Sequence, residues 1–515
     1  MASYFFRMFP IPTRKLAVVL FIVGALAFIY GMGVGAFSLR EPDTCFLLAM
    51  GRWICQHKVL PTIDPFSYTL AMFPEAHGLV LYQWLTEVIF YMVANMAGIA
   101  GLITFACAML VYSLIIMPWR ILDCFKLDTL RIGLIVVLVA LGSMERMMLK
   151  PELFSYLFLA LFLEIIVKEE TNAPATRINW KVVGALAAIM LLWANLHSGF
   201  VIGVVLILVM SSKDLGVVLY CALFKHGKTR TCLSTWTVSF PACLIASLLT
   251  PYGILLWRYI PQLYFHPANK FIHELQPFFL SAAFHNLPLL CSFGGLLLLT
   301  LWRIMHGFHQ KLSATDLVYV LIAIVGIGLG LLFQRLITFA LLLMLPLIGS
   351  GFRIQSSTAP IAAISQKNIH ALIMLSAIAG SLCMLFIATP TIPAISKAFV
   401  PPFEALKSIA VCSPQGNLFN DPEFGDVLIW NLQNPPKLFI DTRFDAYPWQ
   451  IEQDYMVMRD CRTTWKELLA KYQITWVFSP PSTTLCKQLE TVAQWRVTFK
   501  DKNAEIIMRQ VNEEH

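Results

Sequence analysis

Long stretches of this chain carry no Asp, Glu, Lys or Arg at all: Leu16 to Leu39, Val182 to Ser212, Thr231 to Trp257, Leu275 to Trp302 and Asn368 to Ser396. Each is longer than the roughly 18 residues a membrane-crossing helix needs. In hydrocarbon an unpaired backbone amide is so costly that such segments must be helical. The first stretch is too long for a signal peptide, and no small-residue cleavage pattern follows Leu39. With 58% hydrophobic and only 13% charged residues in 515, the bilayer is the expected solvent.

The net charge of +8 does not mark a nucleic-acid binder, because the cations are scattered over short loops instead of forming one patch. Of the twelve cysteines, all but Cys412, Cys461 and Cys486 fall in or beside apolar segments, and no CxxC metal pattern occurs. In an oxidising compartment one pair of those three is able to bridge, and the sequence does not choose which.

Placing Arg7, Arg14 and Lys15 in the cytoplasm predicts eleven spans, near 16–37, 99–118, 130–147, 152–167, 181–195, 198–222, 235–249, 287–304, 315–332, 336–349 and 369–389. Residues 82–95, "YQWLTEVIFYMVAN", are then read as a helix on the membrane surface, because Glu87 would be costly at the bilayer centre. An odd number of spans leaves the first loop, 38–98, and the C-terminal residues outside. The expected organisation is a polytopic α-helical membrane domain over 1–397 and a small α/β domain over 398–515. In the latter, "KLFID" (437–441), "ITWVFS", "WRVTF" and "AEIIMR" read as strands, with helices between them and a partly parallel sheet.

Under this topology ionisable and polar residues from separate loops gather on the outer side. They are Glu41, Asp43, Asp64 and Glu87 from the first loop, Arg146 and Lys150 from "MERMMLKPELFS", Asn195 and His197 from "WANLHSGF", Glu274, and Arg335. Charges near a bilayer are retained for a task or for one another, so a shared cavity is expected. After Asp43, the residues Phe46, Leu47, Met50, Trp53 and Ile54 form one apolar helical face, which suggests a helix floating on the outer leaflet.

Each residue also has a structural reading. Asp43 is placed to cap that helix, Asp64 before Pro65 to form a turn, Glu87 to pair with Arg52 or Lys58, and His197 to bond between helices. Arg146 and Lys150 are able to snorkel, whereas Arg335 between two apolar spans calls for an anion. In "FIDTRFDAY", Asp441, Arg443 and Asp445 end a strand, where they either touch a ligand or form an internal salt bridge. No Gly-rich nucleotide loop and no Ser/His/Asp spacing occurs, which disfavours nucleotide-sugar and hydrolase chemistry.

The order of parts carries a resemblance. A first span is followed by the acidic triplet "EPD", a helix, "LPTIDPFSYT", and a second helix "YQWLTEVIFYMVANMAGIAGL" that feeds the next span. This resembles the polytopic glycosyltransferases of the GT-C superfamily, and within it the bacterial protein-mannosyltransferase-like branch and the membrane proteins beside it. "MLKPELFSYLFL" and "WANLHSGF" fit the same group. The resemblance implies transfer of a sugar from a polyprenyl-phosphate donor to a glycan or protein acceptor on the extracytoplasmic side, with inversion.

On that resemblance Asp43 is the general base and Glu41 its helper. Arg146, Lys150, His197 and Arg335 hold the donor phosphate, and Asp64, Glu87, Asn195 and Glu274 line the same cavity. A divalent cation, Mg or Mn, is implied for some branches, held here by Glu41 and Asp43. The absence of any N-x-S/T sequon leans toward a bacterial inner membrane. The competing class is a non-catalytic membrane protein, either a transporter or an assembly partner that presents the C-terminal domain.

Overall fold

A computed structural model describes residues 42–73, 79–171, 178–224, 234–280, 286–309, 313–356 and 399–510. The expected spans at 16–37 and 369–389 lie outside these residues, as does Glu41. The helices, in chain order, are α1 (Pro42–His57), α2 (Trp84–Val111), α3 (Met117–Asp123), α4 (Thr129–Gly142), α5 (Glu152–Thr171), α6 (Trp180–Leu196), α7 (Phe200–Phe224), α8 (Thr235–Leu248) and α9 (Ile254–Phe265). They continue with α10 (Leu287–His309), α11 (Ala314–Leu332), α12 (Ile337–Ser356), α13 (Phe403–Cys412), α14 (Pro422–Asn431), α15 (Trp449–Arg459), α16 (Trp465–Lys471) and α17 (Thr484–Leu489).

The described residues divide into two compact units. One comprises 103–251 and 273–356; the other comprises 42–102, 252–272 and 399–510. The second unit therefore contains, beside the C-terminal residues, the first loop and the α9 segment, both of which the sequence reading assigns to the helical part.

The first unit is helical. Among the described residues five helical stretches are long and apolar enough to cross a membrane: 84–123, 200–220, 287–305, 314–332 and 334–352, with shorter apolar helices at 129–142, 180–196 and 235–248. The helix over 334–352 stands apart because 83% of it is buried, against 33–44% for the others, so it is the centre of the bundle. Around it pack α3, α4, α5, α10 and α11. Small residues set the closest approach: a Cβ on Gly330 would lie 2.9 Å from Ala340 Cβ, so α11 and α12 meet nearly backbone to backbone.

The stretch 84–123 is interrupted. Gly98 has φ +67° and ψ −174°, a conformation that favours glycine, and it separates the segment that carries Glu87 from the segment beyond it. The expected division into two helices near this point is thus visible in the backbone.

The second unit is built on a four-stranded sheet of order β1-β2-β4-β3, with β1 Asn417–Asn420, β2 Ile474–Ser479, β3 Trp495–Lys500 and β4 Glu505–Arg509. β1 runs parallel to β2, and the other pairs are antiparallel. Phe419, Phe439, Tyr447, Ile451, Met458, Ile474, Val477 and Ile507 form its core, and Leu70 of the first loop joins them.

Two expectations are corrected here. Residues 437–441 are not a ladder strand. Side chains satisfy their backbone instead: Phe439 N donates to Asn420 Oδ1 (2.9 Å), Asn420 Nδ2 to Ile440 O (2.7 Å) and Thr69 Oγ1 to Phe439 O (2.5 Å). A single parallel bridge joins Leu438 to Ser67. β1, with Asn at both ends, lacks the apolar run that marks a strand in sequence.

Nor does α1 float on a leaflet. Residues 44–51 are buried on every face, because "TCFLLAMG" is apolar or small all round and packs against α14. Arg52 fixes the far end, donating to the carbonyls of Ile429 (2.6 Å) and Trp430 (3.0 Å) at the α14 C-terminus with its guanidinium over the Trp430 ring. Arg52 is consequently not the partner of Glu87.

Gly51 allows α1 to approach α2. A Cβ there would stand 2.0 Å from Glu87 O and 2.8 Å from Tyr91 Cβ, and neither can yield without moving the helix. Gly51→Ala is expected to destabilise the second unit by about 1–3 kcal/mol, read as a fall in the unfolding midpoint of the full chain in detergent.

Candidate active site

In the first unit three turns meet around charged side chains: Met144–Arg146, His273–Leu275 and Gln334–Leu336. Gln334 N donates to Gln276 O (3.1 Å), and the Glu145 carboxylate accepts from Asn286 Nδ2 (2.7 Å) and Gln334 Nε2 (2.8 Å), which ties the turns together. Arg146, only 4% exposed, donates to Glu152 Oε2 (2.7 Å) and to Glu274. Arg335 donates to Glu152 and stands 3.6 Å from Glu274 Oε1, and Lys150 is 3.5 Å from that same oxygen. Burial alone would raise the Glu274 carboxyl, but Arg146, Lys150 and Arg335 outweigh it and hold the group well below the ordinary carboxylate range.

Among these five side chains, three cations face two carboxylates. Arg146, Lys150, Arg335 and Glu274, proposed from the sequence as members of one cavity, are therefore neighbours, and Glu152 is the carboxylate that links two of the cations. His197 is engaged structurally: its Nδ1 is 2.7 Å from Ser155 Oγ, which also accepts from Trp193 Nε1 (2.7 Å). Asn195 Nδ2 donates to Leu191 O and Leu249 O, joining the ends of α6 and α8.

In the second unit the centre is Arg443. Its Nη1 is 2.6 Å from Asp64 Oδ2, its Nη2 2.5 Å from Asp441 Oδ2 and its Nε 3.0 Å from Asp441 Oδ1, and the guanidinium lies 4.2 Å from the Phe46 ring centroid. Burial would lower the Arg443 pKa, but Asp441 and Asp64 raise it well above the ordinary value. Asp64 forms the expected turn as well, its Oδ1 accepting from Phe66 N and Ser67 N. Tyr447 OH donates to Asp441 Oδ2 (2.9 Å).

Asp43 is half-buried in the first turn of α1, inside the helix, so it is not the N-cap residue. Its charge acts on Asp426 of α14. Burial, Asp441 and Asp43 together push Asp426 well above the usual carboxylate range, and Thr442 Oγ1 donates to its Oδ2 at 2.5 Å. Sequence patterning missed Asp426; the available signal was a carboxylate placed among "FGDVLIW" apolar residues of a helix.

A second group of acids lies near α9. Tyr259 OH donates to Asp445 Oδ2 at 2.7 Å, and His266 Nδ1 stands 3.6 Å from Glu452 Oε1. Burial and the charge of Asp445 push Glu452 from 4.5 up to about 9, while burial lowers His266, so this contact is a neutral acid beside a neutral imidazole. The raised pKa means that the folded state holds the Glu452 proton more tightly than the unfolded chain does. Its stabilisation is complete below 4.5 and is lost as pH rises towards 9. Unfolding followed over that interval is expected to show stability declining with pH, and Glu452→Gln is expected to flatten the decline.

Glu41 lies outside the described residues. Among the described residues no group of three or more His, Cys, Asp or Glu side chains is arranged to hold a metal ion, so Asp43 and Asp426 do not make up a donor set for the implied Mg or Mn. Cys412, Cys461 and Cys486 are free thiols.

No family model and no curated protein matches this chain in sequence. Among solved structures the fold is similar to the archaeal oligosaccharyltransferase AglB from Archaeoglobus fulgidus, determined in complex with an inhibitory peptide and a dolichol-phosphate. That match has a TM-score of 0.51 at 13% identity and covers 92% of this chain and 70% of that one. The Archaeoglobus fulgidus oligosaccharyltransferase in its apo form gives a TM-score of 0.52 at 12% identity, covering 90% of this chain and 69% of that one. The similarity is one of fold.

Proposed function

We propose that this protein is a membrane glycosyltransferase that moves a sugar from a polyprenyl-phosphate donor to a glycan or protein acceptor. The observation that carries this reading is the fold likeness, over about nine-tenths of the chain, to an oligosaccharyltransferase solved with a dolichol-phosphate and a peptide. The protein-mannosyltransferase-like order of the first loop supports a single lipid-linked sugar as donor. The full reading has eleven spans in a bacterial inner membrane, with the N-terminus cytoplasmic and the C-terminal residues periplasmic.

In the chemistry this implies, the Asp43 carboxylate takes the proton of the acceptor hydroxyl as that oxygen bonds to the anomeric carbon. The bond from that carbon to the lipid phosphate breaks on the opposite face, which inverts the centre. Negative charge grows on the departing phosphate. Arg335 and Lys150, backed by the Arg146 ion pairs, suit it, because guanidinium groups hold phosphate in two-pronged fashion. His197 is assigned a place beside them.

The test offers membranes that contain the protein a radiolabelled sugar on polyprenyl phosphate, on polyprenyl pyrophosphate or on a nucleoside diphosphate. Label is expected in acceptor only from the first. Transfer from the nucleotide, or from none of the three, would overturn the reading.

A further inference from the structure

The "WANLHSGF" turn folds back on one imidazole ring, and the bonds that hold the ring decide where its proton sits. Gly199 N donates to His197 Nδ1 at 3.2 Å, so this nitrogen presents a lone pair. Ser155 Oγ stands 2.7 Å from the same nitrogen, and Trp193 Nε1 donates to that oxygen at 2.7 Å. An indole N–H is able only to donate, so the hydroxyl accepts from Trp193 and turns its own hydrogen to Nδ1. Two donors therefore meet at Nδ1. Burial, opposed by Glu152 and joined by Arg335, lowers the ring from 6.5 to about 4, which keeps it neutral. A neutral imidazole has one ring proton, and here it is on Nε2.

The holding groups are packed hard against one another. Ser155 and Trp193 are fully buried, and a Cβ on Gly199 would lie 2.4 Å from Ser155 Oγ and 3.1 Å from His197 Nδ1. Any side chain at 199 would push the ring off its donors.

The other nitrogen is not engaged. Among the described residues none accepts from Nε2, and the residue keeps 7% of its surface exposed. Ser155 lies three residues after Glu152 on α5, hence on the same helix face, and the charges of Glu152 and Arg335 reach the ring. The imidazole thus stands beside the cluster in which three cations face two carboxylates, a balance that leaves one positive charge to be met. A neutral donor adds a hydrogen bond to an anion without adding charge that the site would have to hold when empty.

We propose that Ser155, Trp193 and Gly199 are positioning residues that set His197 as a fixed donor, its Nε2–H directed to the phosphate of an isoprenyl-phosphate lipid held at Arg335 and Lys150. The lipid phosphate rests on the proposed function; the tautomer follows from the bonds alone.

The experiment uses the full chain with isotope-labelled histidine in dodecyl maltoside, a detergent without phosphate, and reads the ring nitrogens by NMR. His197→Gln identifies the His197 signals by their loss. The parent is expected to show Nδ1 unprotonated and Nε2 protonated, and citronellyl phosphate, a short isoprenyl phosphate, is expected to shift Nε2. Citronellol and inorganic phosphate at equal concentration are expected to leave it in place. Ser155→Ala is expected to bring up signals of the Nδ1-protonated ring, which loss of packing alone would not produce. His197→Asn, whose amide reaches only the place of Nδ1, is expected to weaken citronellyl phosphate about tenfold or more. His197→Gln, whose amide reaches the place of Nε2, is expected to recover most of that loss.

A ring protonated on Nδ1 or on both nitrogens, an Nε2 signal indifferent to citronellyl phosphate or moved equally by inorganic phosphate, or equal losses in His197→Gln and His197→Asn would overturn the proposal. Movement of Nε2 by citronellyl phosphate, with no transfer from any lipid-linked sugar, would overturn the proposed function and keep the positioning set. Sugar transfer by His197→Asn at the parent's rate would do the reverse.

Discussion

Asp43→Asn is expected to lower the rate of sugar transfer by about 10²- to 10⁴-fold, the range typical for removing a positioned general base. The substitution keeps the side chain's shape and removes only its ability to take a proton. The fold of α1 has other supports: its buried residues 44–51, Gly51 against α2 and the Arg52 bonds to α14. The unfolding midpoint and donor binding should therefore stay near the parent values while the single-turnover rate falls. A second readout follows from the neighbouring acid. Asp43 contributes to holding Asp426 protonated, so its neutralisation should bring the Asp426 titration, followed by infrared difference spectroscopy, to lower pH. A transfer rate within threefold of the parent would remove Asp43 from the mechanism.

The second large effect concerns the fold. Arg443→Met is expected to destabilise the second unit by about 3–5 kcal/mol, because breaking a buried ion pair from one side leaves the other charges without compensation. Here two carboxylates, Asp64 and Asp441, lose their partner together, and Phe46 loses the cation above its ring. The fall in unfolding midpoint should be roughly 6–20 °C for a unit of this size. Arg443→Lys is expected to recover only part of it, since one ammonium cannot meet both carboxylates and cover a ring. Differential scanning calorimetry of the full chain decides the matter; a midpoint unchanged by Arg443→Met would show the pairs to be incidental.

The helical part was legible because its signal is physical exclusion. A long stretch without a charge has few alternatives to a helix in lipid, and each expected span that falls on described residues lies on helix, the largest difference being at α12, which runs to Ser356 where the span was expected to end at 349. Arg335 was legible for the same reason: a guanidinium between two apolar helices needs an anion, and Glu152 and Glu274 are there.

The first loop was misjudged where amphipathicity stood in for burial. Phe46 to Ile54 do form an apolar face, but Cys45, Leu48 and Ala49 close the other sides, and that distinction appears only once α14 is in place. Tyr259 and Asp426 carried no motif, because a hydroxyl and a carboxylate become informative only through neighbours distant in sequence.

Asn420 stands where a neighbouring strand would. Its amide faces the 437–441 segment as a surrogate peptide group, oxygen toward one main-chain N–H and nitrogen toward the next carbonyl, and a Cβ on Gly425 would stand 2.6 Å from that nitrogen. Spontaneous deamidation would turn the nitrogen into an oxygen and set two lone-pair bearers against each other. Chemical ageing at this one side chain would thus unfasten the segment that the first loop grips, a form of wear that a main-chain ladder would not suffer.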